Sequence, residues 1–576
     1  MESSLERWTK VLSPDARYRY VRRLKIVGGR SEEQRHIPEA KGDKDEQQDW
    51  RIRDYFDMHK FCRPSKSSVE HSGVRILDRP GASLAHFINR LPALEDLIWG
   101  CDSHLPRSIL SVVHERGCRL HMHSFRLGSL VQSRGSPHAL GPDDYALASS
   151  PCLSSIVVRF LPFGTSGEVD YTEEAVKHMV AGMAPNLAHV WLIRIMAGDS
   201  LSSREAYHLG KPVRADLFPD IVEPDEQLVR PGRLRSLVFT GYESHDIKEW
   251  GLSTDFTKLR RLTIQWNIES GLALADIVSC GDFQSLDTLA LSSIEDQTDE
   301  GIEALNRLLE NVTPLRRLDL EGYIGNSTFR IFLRRHGRTL SHLSFRPCRY
   351  EESQNPVLII SELVAHQLAE ECPNLEQVWL SINRTRGDRQ ETGIYRALSK
   401  LSRLRRVTLR LQFSVGPDQE IWDEEKDGEH PLSCCFENES IPPDYLRDAF
   451  INGAIDGTLA LSIFNLISSG TRLEYLRLEM RRKRGYHGPI GSDALFENIL
   501  RWFNRCWVCE QDSRGKVTAR ELYIEETVNA GREWQYLSQE PQYNGEEIYE
   551  KVFKDEWPQK TEQWWNDWEA LPLANL

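Results

Sequence analysis

The sequence predicts an α/β fold built by repetition, with short parallel strands and helices alternating along an open solenoid. Three observations predict it. One apolar motif returns at near-constant spacing, each copy ends in a two-residue alternation, and helix-periodic segments separate the copies.

The motif is clearest in the middle of the chain. LRSLVF, LRRLTI, LDTLAL, LRRLDL and LSHLSF begin at Leu234, Leu259, Leu286, Leu315 and Leu340, which lie 25, 27, 29 and 25 residues apart. LEQVWL at Leu375, LRRVTL at Leu404 and LEYLRL at Leu473 continue the series, and LEDLIW at Leu94, LSSIVV at Leu153 and LAHVWL at Leu187 precede it. VRRLKI at Val21, GCRLHM at Gly117 and ARELYI at Ala519 are weaker copies. The alternation at the end of each copy marks a short strand with one buried face. Between copies, DEGIEALNRLLENVTP sets Ile302, Leu305, Leu308 and Leu309 on one helical stripe, with acids at its start and proline after its end. ISELVAHQLAEECP, NSTFRIFLRRHG and YTEEAVKHMVAGMAP follow the same plan. One strand and one helix per unit define a leucine-rich-repeat horseshoe, in which no unit buries its apolar face alone and stacking builds one continuous core. Leu262, Leu289, Leu318 and Leu320 are expected to be almost fully buried.

Three regions follow. Residues 1–90 hold a first strand and a charged, flexible loop, RSEEQRHIPEAKGDKDEQQDW. Residues 91–540 form the solenoid, interrupted at about 416–443 by an insertion rich in Asp and Glu. Such excess chain belongs in a surface loop, and its deletion is expected to leave the repeat core intact. Residues 541–576 carry Trp557, Trp564, Trp565 and Trp568 and read as a cap over an open end or as a tail.

Charge and composition exclude several classes. A net charge of −14 argues against a general binder of nucleic-acid backbone. No run of about 18 apolar residues is present, so no membrane-spanning helix is expected. The eleven scattered cysteines and an N-terminus without an apolar signal core point to the cytoplasm or nucleus. The lone C-x-x-C at Cys506–Cys509 lacks a second pair, and its cysteines read as packing residues; His121 and His123 read as surface histidines. No phosphate-binding loop, nucleophile elbow or kinase signature occurs, so neither catalysis, nor a metal, nor a cofactor is assigned.

The alternation also nominates a surface. The leucines point inward, so the third, fifth and seventh motif positions face out from the strands. These positions, with Trp266 just beyond one of them, give His189, Trp191, Arg261, Trp266, Arg317, His342, Arg346, Trp379, Arg406, Arg410, Tyr475 and Arg477 as a candidate protein-binding face. Arg, Trp and Tyr dominate binding hot spots. Arginine forks suit an acidic or phosphorylated protein segment. Asp319, Glu321 and Glu479 offset only part of this positive charge.

The chain resembles fungal F-box-like leucine-rich-repeat proteins. The resemblance is carried by RYVRRLKIVGG, by LPRSILSVVHERGCRLHMHSFRLGSL from Leu105, by the repeats from Leu187 to Leu409, and by the EWP…WWNDWEALP ending. It implies a substrate-recognition subunit of a cullin ubiquitin ligase, in which an F-box binds a Skp-type adaptor and the repeats hold the substrate. SLERWTKVLSPDARY does not match the F-box pattern L-P-x-E-[IL], so binding of that adaptor is not expected from the residues present. A structural or regulatory repeat protein with no ligase link is the alternative.

Overall fold

The computed structural model describes residues 2–12, 17–27, 78–101, 104–133, 139–162, 168–194, 217, 231–241, 247–266, 268–294, 298–347, 358–413, 443–482, 499–500, 502, 504–522, 546–561 and 566–574. The acidic insertion, the charged loop after Gly29, Trp564 and Trp565 lie outside these residues. The chain divides into two compact units, Met1–Tyr242 with Trp250–Asp255, and Glu243–Glu249 with Phe256–Leu576.

Every copy of the motif is a strand. The first unit holds β1 (Arg23–Val27), β2 (Asp96–Gly100), β3 (Arg119–Phe125), β4 (Val131–Ser133), β5 (Leu153–Phe160), β6 (Glu168–Asp170), β7 (His189–Arg194) and β8 (Ser236–Gly241). Six of them pair in parallel in the order β1-β2-β3-β5-β7-β8, while β4 and β6 form a separate antiparallel pair. β1 pairs directly with β2, so the first strand is part of this unit's sheet.

The second unit holds β9 (Arg261–Gln265), β10 (Thr288–Ile294), β11 (Arg317–Gly322), β12 (His342–Pro347), β13 (Gln377–Asn383), β14 (Arg406–Phe413), β15 (Tyr475–Arg482), β16 (Cys506–Gln511) and β17 (Val517–Leu522). β9 through β15 are parallel neighbours in chain order. β16 and β17 then turn back antiparallel, so ARELYI is not a further parallel rung but the second strand of a terminal hairpin. Cys509 in β16 is fully buried, and burial pushes its thiol up to about 12, as suits a packing residue. Cys506 is only half-buried.

Register explains why leucine recurs. Leu262, Leu289, Leu318, Leu343, Val378, Val407 and Leu476 stand side by side, and none is more than 4% exposed. Ile264, Leu291, Leu320, Phe345, Leu380, Leu409 and Leu478 form the next buried row. A polar side chain at any of these places would lose water without gaining a partner. Leu318→Ala is expected to cost about 2–5 kcal/mol through lost burial and a cavity that rigid neighbours cannot collapse. Urea unfolding checks this, and a loss near zero would contradict the packing.

The helices between strands start where the sequence supplies a cap. Thr298, Ser361, Asp388 and Asp456 each accept the backbone N–H three residues on, opening helices Asp299–Asn311, Glu362–Glu371, Arg389–Ser399 and Gly457–Ser468. Helix Asn326–His336 packs Phe329 and Phe332 against Phe345 of β12, with ring centres 5.7 and 5.3 Å away. The same helix ends in His336, which is 0% exposed. Its Nδ1 accepts the Leu315 N–H at 3.2 Å, and its Nε2–H donates to the Leu309 carbonyl at 2.9 Å. This one imidazole therefore ties its helix to the preceding helix and to the entry of β11.

No single described helix is long and apolar enough to cross a membrane. The apolar pair Pro443–Gly453 and Gly457–Ser468 is bent by 64° and buries Leu446, Phe450, Ile463 and Phe464. The C-terminal helix Glu546–Glu556 packs on the first of these, Pro443–Gly453, with Phe553 against Phe450 at 6.4 Å. Beyond it, Ala570 and Ala574 dock on two loops that each lead into a helix. There Ala570 N–H donates to Asp456 Oδ2 at 3.3 Å and Ala574 N–H to the Gly387 carbonyl at 2.8 Å. Trp557 is buried and donates to the Glu569 carbonyl, and Trp568 lies beside Arg505. The described part of the Trp-rich ending is thus a docked strap of the second unit.

Candidate protein-binding face

In-register parallel strands turn motif positions into rows. In the second unit the third position gives Arg261, Thr288, Arg317, His342, Gln377, Arg406 and Tyr475, each beside the next. The fifth gives Thr263, Ala290, Asp319, Ser344, Trp379, Thr408 and Arg477. At the seventh, Glu321 stands beside Arg346, and Ser381, Arg410 and Glu479 are consecutive neighbours. Arg261, Arg317, His342, Trp379, Arg406, Arg410, Tyr475 and Arg477 are all half-buried. That is the exposure of side chains lying flat on a sheet while keeping one edge in water.

The fifth and seventh rows form one charge-compensated cluster. Arg346 reaches Asp319 at 2.7 Å and Glu321 at 2.8 Å, and its Nε donates to Ser344 at 3.0 Å. Arg410 lies 3.7 Å from Glu321 and 3.9 Å from Glu479, and Arg477 pairs with Glu479 at 2.8 Å. The guanidinium groups of Arg346 and Arg410 lie 4.2 and 5.4 Å from the Trp379 ring centre, within cation–π distance. Arg406 lies 4.4 Å over Tyr475. Asp319, Glu321 and Glu479 thus hold Arg346, Arg410 and Arg477 in one network on this face.

Three nominated residues are placed differently. Trp266 is 3% exposed and lies on the leucine side, because alternation from Leu262 and Ile264 continues one residue past β9. Its ring fills the space that a side chain at Gly271 would need, so the glycine admits the indole. Trp191 belongs to the first unit and is 3% exposed, with Nε1 donating to Thr240 at 2.8 Å. Arg346 does face out, but its neighbours cover it to 8% exposure. His189 is half-buried on the first unit's strands, between Ser155 and Ser236 in register.

Two polar clusters escaped the sequence reading. Asp96, His121 and Ser155 occupy outward positions of the motifs at Leu94, Gly117 and Leu153, so the same alternation reveals them once it is applied upstream of Leu187. All three are buried, and His121 is not a surface histidine. His121 Nδ1 lies 2.7 Å from Ser155 Oγ, and Nε2 lies 3.0 Å from Asp96 Oδ1. Asp96 also accepts from Arg119 at 2.7 Å and Arg23 at 3.3 Å. Burial would raise the Asp96 pKa, but the bonds from His121 and Arg119 hold it below the ordinary carboxylate value. With Ser155 only 3% exposed and Asp96 shared among three donors, the cluster laces β1, β2, β3 and β5 together rather than presenting a nucleophile.

The second cluster has no sequence signature. Arg384 and Glu391 are both 0% exposed at the side chain and pair at 2.7 Å. Glu391 also accepts from Tyr395 at 2.8 Å and from the backbone N–H groups of Thr385 and Gly387 at 2.8 and 2.9 Å. Burial and the Glu391 carboxylate push the Tyr395 phenol well above its ordinary pKa. This cluster shapes the turn on which Ala574 docks, and it is away from the row of arginines.

No protein-family model matches this chain, and no curated protein is significantly similar to it.

Proposed function

We propose that this chain is a protein-interaction scaffold whose docking surface is the strand face of the second unit. One observation carries the reading. Parallel register aligns Arg261, Arg317, His342, Arg406 and Tyr475 in a single row on one face of a parallel sheet. Pre-positioned arginines lose little freedom when a partner binds, so more of each contact survives as affinity. Membership of a cullin ubiquitin ligase is the finer form of this proposal, supported by the family resemblance alone. Purified chain mixed with a Skp-type adaptor is expected to show no one-to-one complex, because SLERWTKVLSPDARY lacks the F-box pattern.

The test of the face is Arg317→Glu combined with Arg406→Glu. The double variant should keep the wild-type circular dichroism and unfolding midpoint, since both side chains are half-buried and stand outside the leucine rows. Its capture of partners in affinity purification should fall roughly tenfold or more, the loss expected for two hot-spot arginines turned repulsive. The same partners at the same yield would end the proposal.

A further inference from the structure

We draw no further inference here: the strongest candidate, the exposed apolar side chains of Trp8 and Val11 on the helix Glu2–Leu12 of the first unit, carries nothing because nothing in the structure shows what covers them.

Discussion

Glu391→Ala should be among the most damaging single substitutions in this protein, at about 3–5 kcal/mol. The carboxylate is fully enclosed with Arg384, Tyr395 and two backbone N–H groups. Removing it leaves a guanidinium buried without its counter-charge, and strands the two N–H groups and the phenol as well. Two further guanidinium atoms, Arg384 Nε and Nη2, have no hydrogen-bond partner among the described residues, so nothing nearby can take over. The damage should spread to the C-terminal strap, because Gly387 both donates to Glu391 and accepts from Ala574. Urea unfolding with hydrogen exchange on residues 385–399 and 566–574 checks this. A companion variant, Arg384→Met with Glu391→Leu, should recover much of the loss, since an apolar pair needs no compensation. A single-variant loss below about 1 kcal/mol would show that the pair is not the keystone of this turn.

The second large effect is a pH dependence centred on His336. Burial lowers its pKa from an ordinary 6.5 to about 4. The folded state therefore refuses a proton that the unfolded chain accepts. Stability is fully present above pH 6.5 and is lost as pH falls from there towards 4, where the folded imidazole finally protonates. A difference of that size corresponds to roughly 3 kcal/mol. Protonation also destroys the acceptor at Nδ1 that serves the Leu315 N–H. Asp96 acts in a lower window: its depressed pKa stabilises the fold above the ordinary carboxylate range and is lost only as pH falls through the lowered value. Unfolding free energy measured from pH 8 to 4 should drop in the wild type. It should be flatter over pH 6.5–4 in His336→Gln, which keeps a donor and an acceptor but does not titrate. Parallel curves for the two proteins would refute the assignment.

Particular residues show how far the sequence could be read. Leu318 and Leu289 were legible because strand alternation and repeat spacing both demand an apolar residue there, and both are buried as that demand requires. The helix that starts at Asp299 was legible from its acidic start, its apolar stripe and the proline after its end. Trp266 was not: the rule that counts outward positions stops at the strand's end, and the space beside Gly271 decides where the indole goes. His121 was misread because a histidine on an outward position reads as solvated until a carboxylate of the preceding motif, Asp96, is known to stand beside it.

The sequence by itself determined the rungs of this protein: which residues form strands, which leucines face the core, and which side chains lie in one row across the sheet. These follow from chain geometry, since a period of two and a fixed repeat length leave little freedom in parallel register. Only the tertiary structure decided which charges meet. Arg346 with Asp319 and Glu321, Asp96 with His121, and Arg384 with Glu391 depend on how long side chains reach across neighbours and on which of them water can no longer reach. Electrostatic energy varies with separation and burial, and neither quantity is written in the spacing of a motif.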